Sequence, residues 1–191
     1  MPSILFAMLG CVPVLNTPGG PVADQPWMMP VNSWPVSTPP DGLRAEGFDP
    51  GEVIPDFRLP DQHWEEVSLW QFWGRVVVVD VSTMWCSPCQ QLARGIPEIA
   101  ESWRDEGLIY LTVFPQDVHN EIPDQADLEE WAESFDIEEP LLSDAEGWSY
   151  DVVPDNAFPG VLIVGEDMRV VSRVGAPTDA AVEAAIEAAY E

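Results

Sequence analysis

The chain has 191 residues, 46% of them hydrophobic, which is enough for one packed domain with extensions. Its 34 acidic residues stand against 7 basic ones, all of them arginine, for a formal net charge of −27. A field of that sign disfavours nucleic acid and anionic membrane surfaces, and it fits either a generally acidic, salt-adapted proteome or a basic partner.

At the N-terminus, Ile4 to Leu9 form a short apolar run closed by Gly10-Cys11. This resembles a bacterial lipoprotein signal, in which the cysteine after a small residue becomes the lipidated N-terminus. The resemblance makes residues 1–11 a possible signal and Cys11 its lipidation site, although no basic residue precedes the run and the run is short for a signal peptide. No other stretch is apolar over the ~18 residues a membrane-spanning helix requires. Residues 12–50 carry, between Val12 and Asp41, prolines at 13, 18, 21, 26, 30, 35, 39 and 40 with no periodicity. They read as a linker in extended polyproline II form, a semi-rigid spacer. Trp27, Trp34 and two methionines make the stretch stickier than a pure spacer, so the alternative is that it packs on the domain.

The folded domain is expected over 51–191. Four valines in a row, Val76 to Val79, read as a strand buried on both faces, as in the middle of a parallel sheet. A helix should follow, running on toward Trp103, with no glycine after Cys89 until Gly95. In that arrangement Cys86 of Trp85-Cys86-Ser87-Pro88-Cys89 stands at the helix N-terminus, where free N–H groups and the helix dipole favour a thiolate. Cys89 lies one turn on. Residues at i and i+3 share a helix face with Cβ atoms roughly 5–6 Å apart, and a small adjustment reaches the ~3.8 Å of a disulfide. The pair can therefore open and close. Half a zinc site is a weaker reading, because closed sites want four ligands and only the scattered Cys11, His63 and His119 remain. A peroxidase cysteine is another alternative: Thr83-x-x-Cys86 resembles part of the peroxiredoxin signature, but Val79 stands where that signature needs proline.

Further along, Leu108 to Phe114 reads as a strand. From Asp124 to Phe135 the residues Leu128, Trp131, Ala132 and Phe135 fall at i, i+3, i+4 and i+7, an amphipathic helix with Asp124 as its cap. A short strand is expected at Leu141-Leu142, another at Gly160 to Val164, then a turn at Glu166-Asp167 and a strand from Arg169 to Val174. The last helix, Thr178 to Tyr190, places Val182, Ala185, Ile186 and Ala189 on one face.

The opening Gly51-x-x-x-Pro55-Asp56-Phe57-x-Leu59, then Val67-Ser68-Leu69, a glycine before a buried strand, and Trp-Cys-x-x-Cys together resemble thioredoxin-like oxidoreductases of the TlpA/ResA type. The resemblance implies an α/β thioredoxin-like fold, a central mixed sheet flanked by helices, with the helix at 124–135 and the strand at 141–142 as a TlpA-type insertion. It implies that Pro159, just before a strand, is cis and faces the dithiol. It also sets Asp80, six residues before Cys86, where thioredoxins proper carry a buried aspartate; burial raises a carboxyl pKa, making Asp80 a proton acceptor for Cys89. Two places differ. Relatives show an acidic residue three positions past the second cysteine and a proline two further, and here these are Leu92 and Arg94, so no acidic contact or helix kink is carried over; the nearest proline is Pro97.

The expected activity is thiol-disulfide exchange by Cys86 and Cys89, with Asp80, Pro159 and Trp85 completing the site and with no cofactor or metal. The expected partners are protein thiols or disulfides and an electron-donor or acceptor protein, with a monomer held at the bacterial cell envelope by a lipid anchor alone. An acidic surface lipoprotein with an idle dithiol is the non-enzymatic alternative.

Overall fold

The computed structural model describes residues 26–153, 155–175 and 177–191; Cys11 and the lipoprotein-like run lie outside them. The valine run becomes β3 (Val77–Val81), every residue of it buried. It is central because it is apolar on both faces. One face, Val77, Val79 and Val81, packs with Leu111, Val113, Leu162 and Val164 against Phe57, Leu59, Val67, Leu69 and Phe72. The other, with Val76 and Val78, packs with Tyr110, Phe114, Val161 and Ile163 against helical residues such as Leu92, Ile96, Ile99, Leu128, Val182 and Ile186. Each fully buried valine stabilises the fold by roughly 1.5–3 kcal/mol relative to an exposed one.

Two short antiparallel strands, β1 (Arg58–Pro60) and β2 (Glu66–Ser68), precede it and form a separate hairpin. After β3 come α1 (Ser87–Ala93), α2 (Ile96–Ser102), β4 (Ile109–Phe114), α3 (Gln125–Phe135), β5 (Leu141–Ser143), α4 (Ser149–Val152), β6 (Gly160–Val164), β7 (Val170–Val174) and α5 (Asp179–Ala189). The main sheet has the order β5-β4-β3-β6-β7. Strands β3, β4 and β5 run parallel, while β6 and β7 add antiparallel pairs. Asp124 caps α3 as its sequence suggests: its side chain accepts from the Asp127 N–H, and Asp127 returns the contact to the Asp124 N–H. Among the described residues no helix is long and apolar enough to cross a membrane.

Two findings differ from the sequence reading. The helix after the cysteines is not continuous: α1 stops at Ala93 and α2 starts at Ile96. Pro97 sits in the first turn of α2, where its missing N–H costs nothing, and it cannot donate back to Ala93 as an unbroken helix would demand. The break therefore comes without the proline that relatives place earlier. At the junction, a Cβ on Gly95 would stand 2.5 Å from the Asp179 carboxyl carbon, so a larger residue there would make that side chain move.

The second finding concerns residues 26–50, read above as part of a linker with packing on the domain as the alternative. They lie against the domain. The Trp27 indole donates to Ser68 Oγ at 3.0 Å, Asn32 donates to Glu66 O at 2.7 Å, and Ser37 N–H donates to Gln71 O at 2.7 Å. Trp34 donates its indole N–H to buried Asp61 at 2.5 Å and stacks on His63 with ring centroids 6.0 Å apart. Trp34, Leu43 and Phe48 add to the apolar cluster on that side of the sheet. The aromatic residues among the prolines supply the surface that holds this strap down.

Candidate active site

The chain leaves β3 at Val81 and reaches α1 through Ser82 to Trp85, a loop pinned from below. Ser82 N–H donates to Val113 O at 3.1 Å, Met84 N–H to Gln116 O at 3.1 Å, and Gln90 Nε2 to Met84 O at 2.8 Å. Cys86 is then the N-cap of α1, with extended backbone angles, and Pro88 occupies the first turn. Its sulfur takes the place of a capping oxygen: the Cys89 N–H donates to Cys86 Sγ at 3.2 Å. The two sulfurs are joined as a disulfide, with Cα atoms 5.2 Å apart. Cys86 is 5% exposed and Cys89 1%, so the first cysteine is the more accessible of two nearly enclosed ones. When the pair is reduced, the same N–H and the first turn of α1 stabilise a thiolate on Cys86.

Across from Cys86 lies the Phe158-Pro159 peptide, which is cis. The Phe158 carbonyl stands 3.6 Å from Cys86 Sγ, and Pro159 is buried. Trp85 is 45% exposed, meets the Phe158 ring edge-on at 6.3 Å and donates its indole N–H to Gln116 Oε1 at 2.9 Å. Gln116 thus holds the loop twice, by its carbonyl on Met84 and its side chain on Trp85. Beside it opens a hollow of about 290 Å³ lined by residues that include Pro115, Ile122, Asp144 and Tyr150.

Asp80 sits on β3 opposite Thr112 and Val161, on the same face as Val78, the face whose buried cluster includes Tyr110, Val161 and the α1 residues Leu92 and Ala93. It is 1% exposed. Burial pushes its carboxyl up to about 7, against the pull of hydrogen bonding from Ser82 and Tyr110; the Ser82 hydroxyl donates to Asp80 Oδ1 at 2.7 Å. A group with that pKa exchanges protons readily at neutral pH.

The structure therefore brings Trp85, Cys86, Cys89 and Pro159 together at one end of the sheet, with Asp80 under the same helix. Gln116, Phe158 and Ser82 also belong here and were not singled out from the sequence. Their spacing from Cys86 carries no signal, except that Phe158 adjoins Pro159 and Ser82 follows Asp80 at i+2. His63 lies under the strap and His119 in an exposed loop, away from the cysteines. Among the described residues, no three His, Cys, Asp or Glu side chains form a group able to hold a metal ion.

A mixed sheet in this order, with a Trp-Cys-x-x-Cys dithiol capping the helix after its central strand and a cis proline opposite, defines a thioredoxin-like protein. The chain belongs to the AhpC/TSA family, whose model matches residues 50–173. It is similar to the thioredoxin-like protein YneN of Bacillus subtilis, 26% identical over 105 residues, covering 55% of this chain and 59% of that one. It is also similar to the thiol-disulfide oxidoreductase ResA of Bacillus thuringiensis, 20% identical over 136 residues, covering 69% and 72%. Among solved structures, the thiol:disulfide interchange protein DsbE of Chlorobium tepidum superposes with a TM-score of 0.64 at 22% identity, covering 76% of this chain and all of that one. That likeness shows the fold.

Proposed function

We propose that the protein is a thiol-disulfide oxidoreductase acting on protein disulfides. The observation that carries this reading is the Cys86–Cys89 pair at the start of α1, with the Cys89 N–H on Cys86 Sγ. In the reduced protein, the Cys86 thiolate attacks one sulfur of a substrate disulfide. A mixed disulfide forms and the other substrate sulfur leaves as a thiolate. Cys89, giving its proton to Asp80, then attacks Cys86 Sγ; the enzyme disulfide closes and the second substrate thiolate departs. The substrate gains two electrons, the dithiol loses two, and a partner dithiol or disulfide resets the pair. Trp85, Pro159 and the hollow beside Gln116 offer the surface against which a substrate segment lies. No cofactor takes part in this cycle.

A thiol peroxidase, the other chemistry of such a cysteine, is less well supported. Oxygen leaving a peroxide needs a cation or strong donors beside the sulfur, whereas the groups at Cys86 Sγ are the Phe158 carbonyl and the Cys89 N–H. Arg75 and Arg94 are engaged elsewhere, on Gly107 O and Gln90 O.

The proposal extends to place and partners. The run Ile4 to Leu9 followed by Gly10-Cys11 supports a lipid tether at the bacterial cell envelope; the proposed protein is a monomer that works with an electron-donor or acceptor protein. Mass spectrometry of membrane-fractionated protein tests the tether: a soluble product that keeps Met1 overturns it. The activity is tested by turnover of insulin disulfides, with Cys86→Ser as control. Turnover that needs Cys86 supports the oxidoreductase; no turnover by either protein favours the non-enzymatic binding lipoprotein.

A further inference from the structure

Two buried hydroxyls on the Asp80 face, those of Tyr110 and Thr112, have no full hydrogen-bond partner among the described residues. Buried polar groups are normally paired, and an orphan needs an account. The β3–β4 register pairs Asp80 with Thr112 and Val78 with Tyr110, so Tyr110 lies on the same side of the sheet as Asp80, two residues back along β4. It belongs to the buried apolar cluster on that face, with residues such as Val78, Val161, Ile96, Ile99, Val182 and Ile186 from β3, β6, α2 and α5. The polar groups acting on Asp80 are Ser82 and Tyr110, with no cation among them. Those acting on Tyr110 are Asp80 and, from the start of α5, Asp179. Ser82 is already committed, donating to Asp80 Oδ1 at 2.7 Å. The Tyr110 hydroxyl acts on Asp80 without completing a hydrogen bond and is committed to no other group, so it can reorient.

Resting on the oxidoreductase reading, we propose that Tyr110 is a positioning residue for proton transfer at Asp80: its hydroxyl turns to donate to the carboxylate, then accepts from the carboxylic acid once Asp80 has taken the Cys89 proton. The proton passes from Cys89 Sγ to Asp80 and remains there. It returns to Cys89 when the disulfide is next reduced and the Cys89 thiolate leaves. Tyr110 gives up no proton in either direction. Its own pKa lies well above 10, since burial and the two nearby carboxylates disfavour a phenolate. An unpaired hydroxyl suits this task because it breaks no other bond when it reorients.

The test uses the full reduced chain and 5,5′-dithiobis(2-nitrobenzoate), followed by stopped flow from pH 5 to 9. The first nitrothiobenzoate reports attack by Cys86 and the second reports resolution by Cys89. Tyr110→Phe keeps the ring and removes the hydroxyl. It should move the acidic limb of the second phase upward by roughly one pH unit, the scale of a lost hydrogen bond to a charged group, and leave the first phase unchanged. A ¹³C titration of the Asp80 carboxyl should show the same displacement without catalysis. Thr112→Val should move neither, and in an Asp80→Asn background Tyr110→Phe should add nothing. An unmoved limb in Tyr110→Phe, or an equal displacement in Thr112→Val, overturns the role of Tyr110. A wild type that releases no second nitrothiobenzoate overturns the oxidoreductase reading instead.

Discussion

The backbone N–H of Cys89 points at the sulfur of Cys86 from 3.2 Å, so the second cysteine helps to ionise the first. With the first turn of α1 adding its dipole, the Cys86 thiol should titrate below the ~8.5 of a free cysteine. Reduced protein at pH 7 should therefore be alkylated at Cys86 well before Cys89, and Cys89→Ser should accumulate mixed disulfides on Cys86. Equal labelling of both thiols with no trapped partner would reverse the assignment of roles.

Gln116 predicts a separable effect on substrate handling. Its side chain accepts from the Trp85 indole, and its carbonyl accepts from the Met84 N–H. Gln116→Ala removes only the side-chain bond, worth about 1 kcal/mol, or roughly fivefold. Because Trp85 is half-exposed beside the sulfur, the loss should appear in kcat/KM for insulin with little change in Tm. A lowered Tm with unchanged kcat/KM would make Gln116 a purely structural residue.

Much of this site was legible in the sequence because its signals are local. Val76 to Val79 gave the central strand, Asp80 and Trp85-Cys86-Ser87-Pro88-Cys89 followed in register, and Pro159 stood directly before a run of strand formers. What the sequence did not yield depends on contacts far apart in the chain. The orphan hydroxyl of Tyr110 acquires meaning only from the β3–β4 register. Gly95 leaves room for a carboxylate 84 positions later, that of Asp179. Strap residues 26–50 read as a spacer, with Trp27 and Trp34 raising packing on the domain as the alternative, and the partner of Trp34, Asp61, is visible only in the fold.

That last pair yields its own test. Asp61 is fully buried; its Oδ1 accepts from the N–H groups of His63 and Glu65, and its Oδ2 accepts from Trp34. Trp34→Phe keeps most of the stacking surface on His63 but removes the donor. A buried acceptor left without its partner costs about 1–3 kcal/mol, to be read from urea unfolding. Trp34→Ala should cost more, as the apolar contact goes too. No change in either variant would mean that the strap is not docked in solution.

The strongest pH signature should come from Asp80. Its ordinary value is 3.8, and burial pushes it up to about 7. Between these two values the folded chain holds a proton that the unfolded chain has released. Stability therefore falls as pH rises from about 4 to 7, and it is lowest above 7. Asp80→Asn removes that penalty, so the variant should gain on the wild type across this window, by at most about 4 kcal/mol. Asp56, raised by burial to about 6, keeps its own dependence in both proteins, and the difference between them isolates Asp80. The kinetic effect runs the other way. Without a base beneath α1, the thiol of Cys89 must ionise unaided, and resolution should slow by ~10²–10⁴-fold while the first attack by Cys86 is nearly unchanged. A variant more stable at pH 8 and slow only in the second step would mark Asp80 as a costly buried group retained for proton transfer. If Asp80→Asn resolves at the wild-type rate and melts at the same temperature across pH 4 to 8, Asp80 is neither buried in solution nor the base.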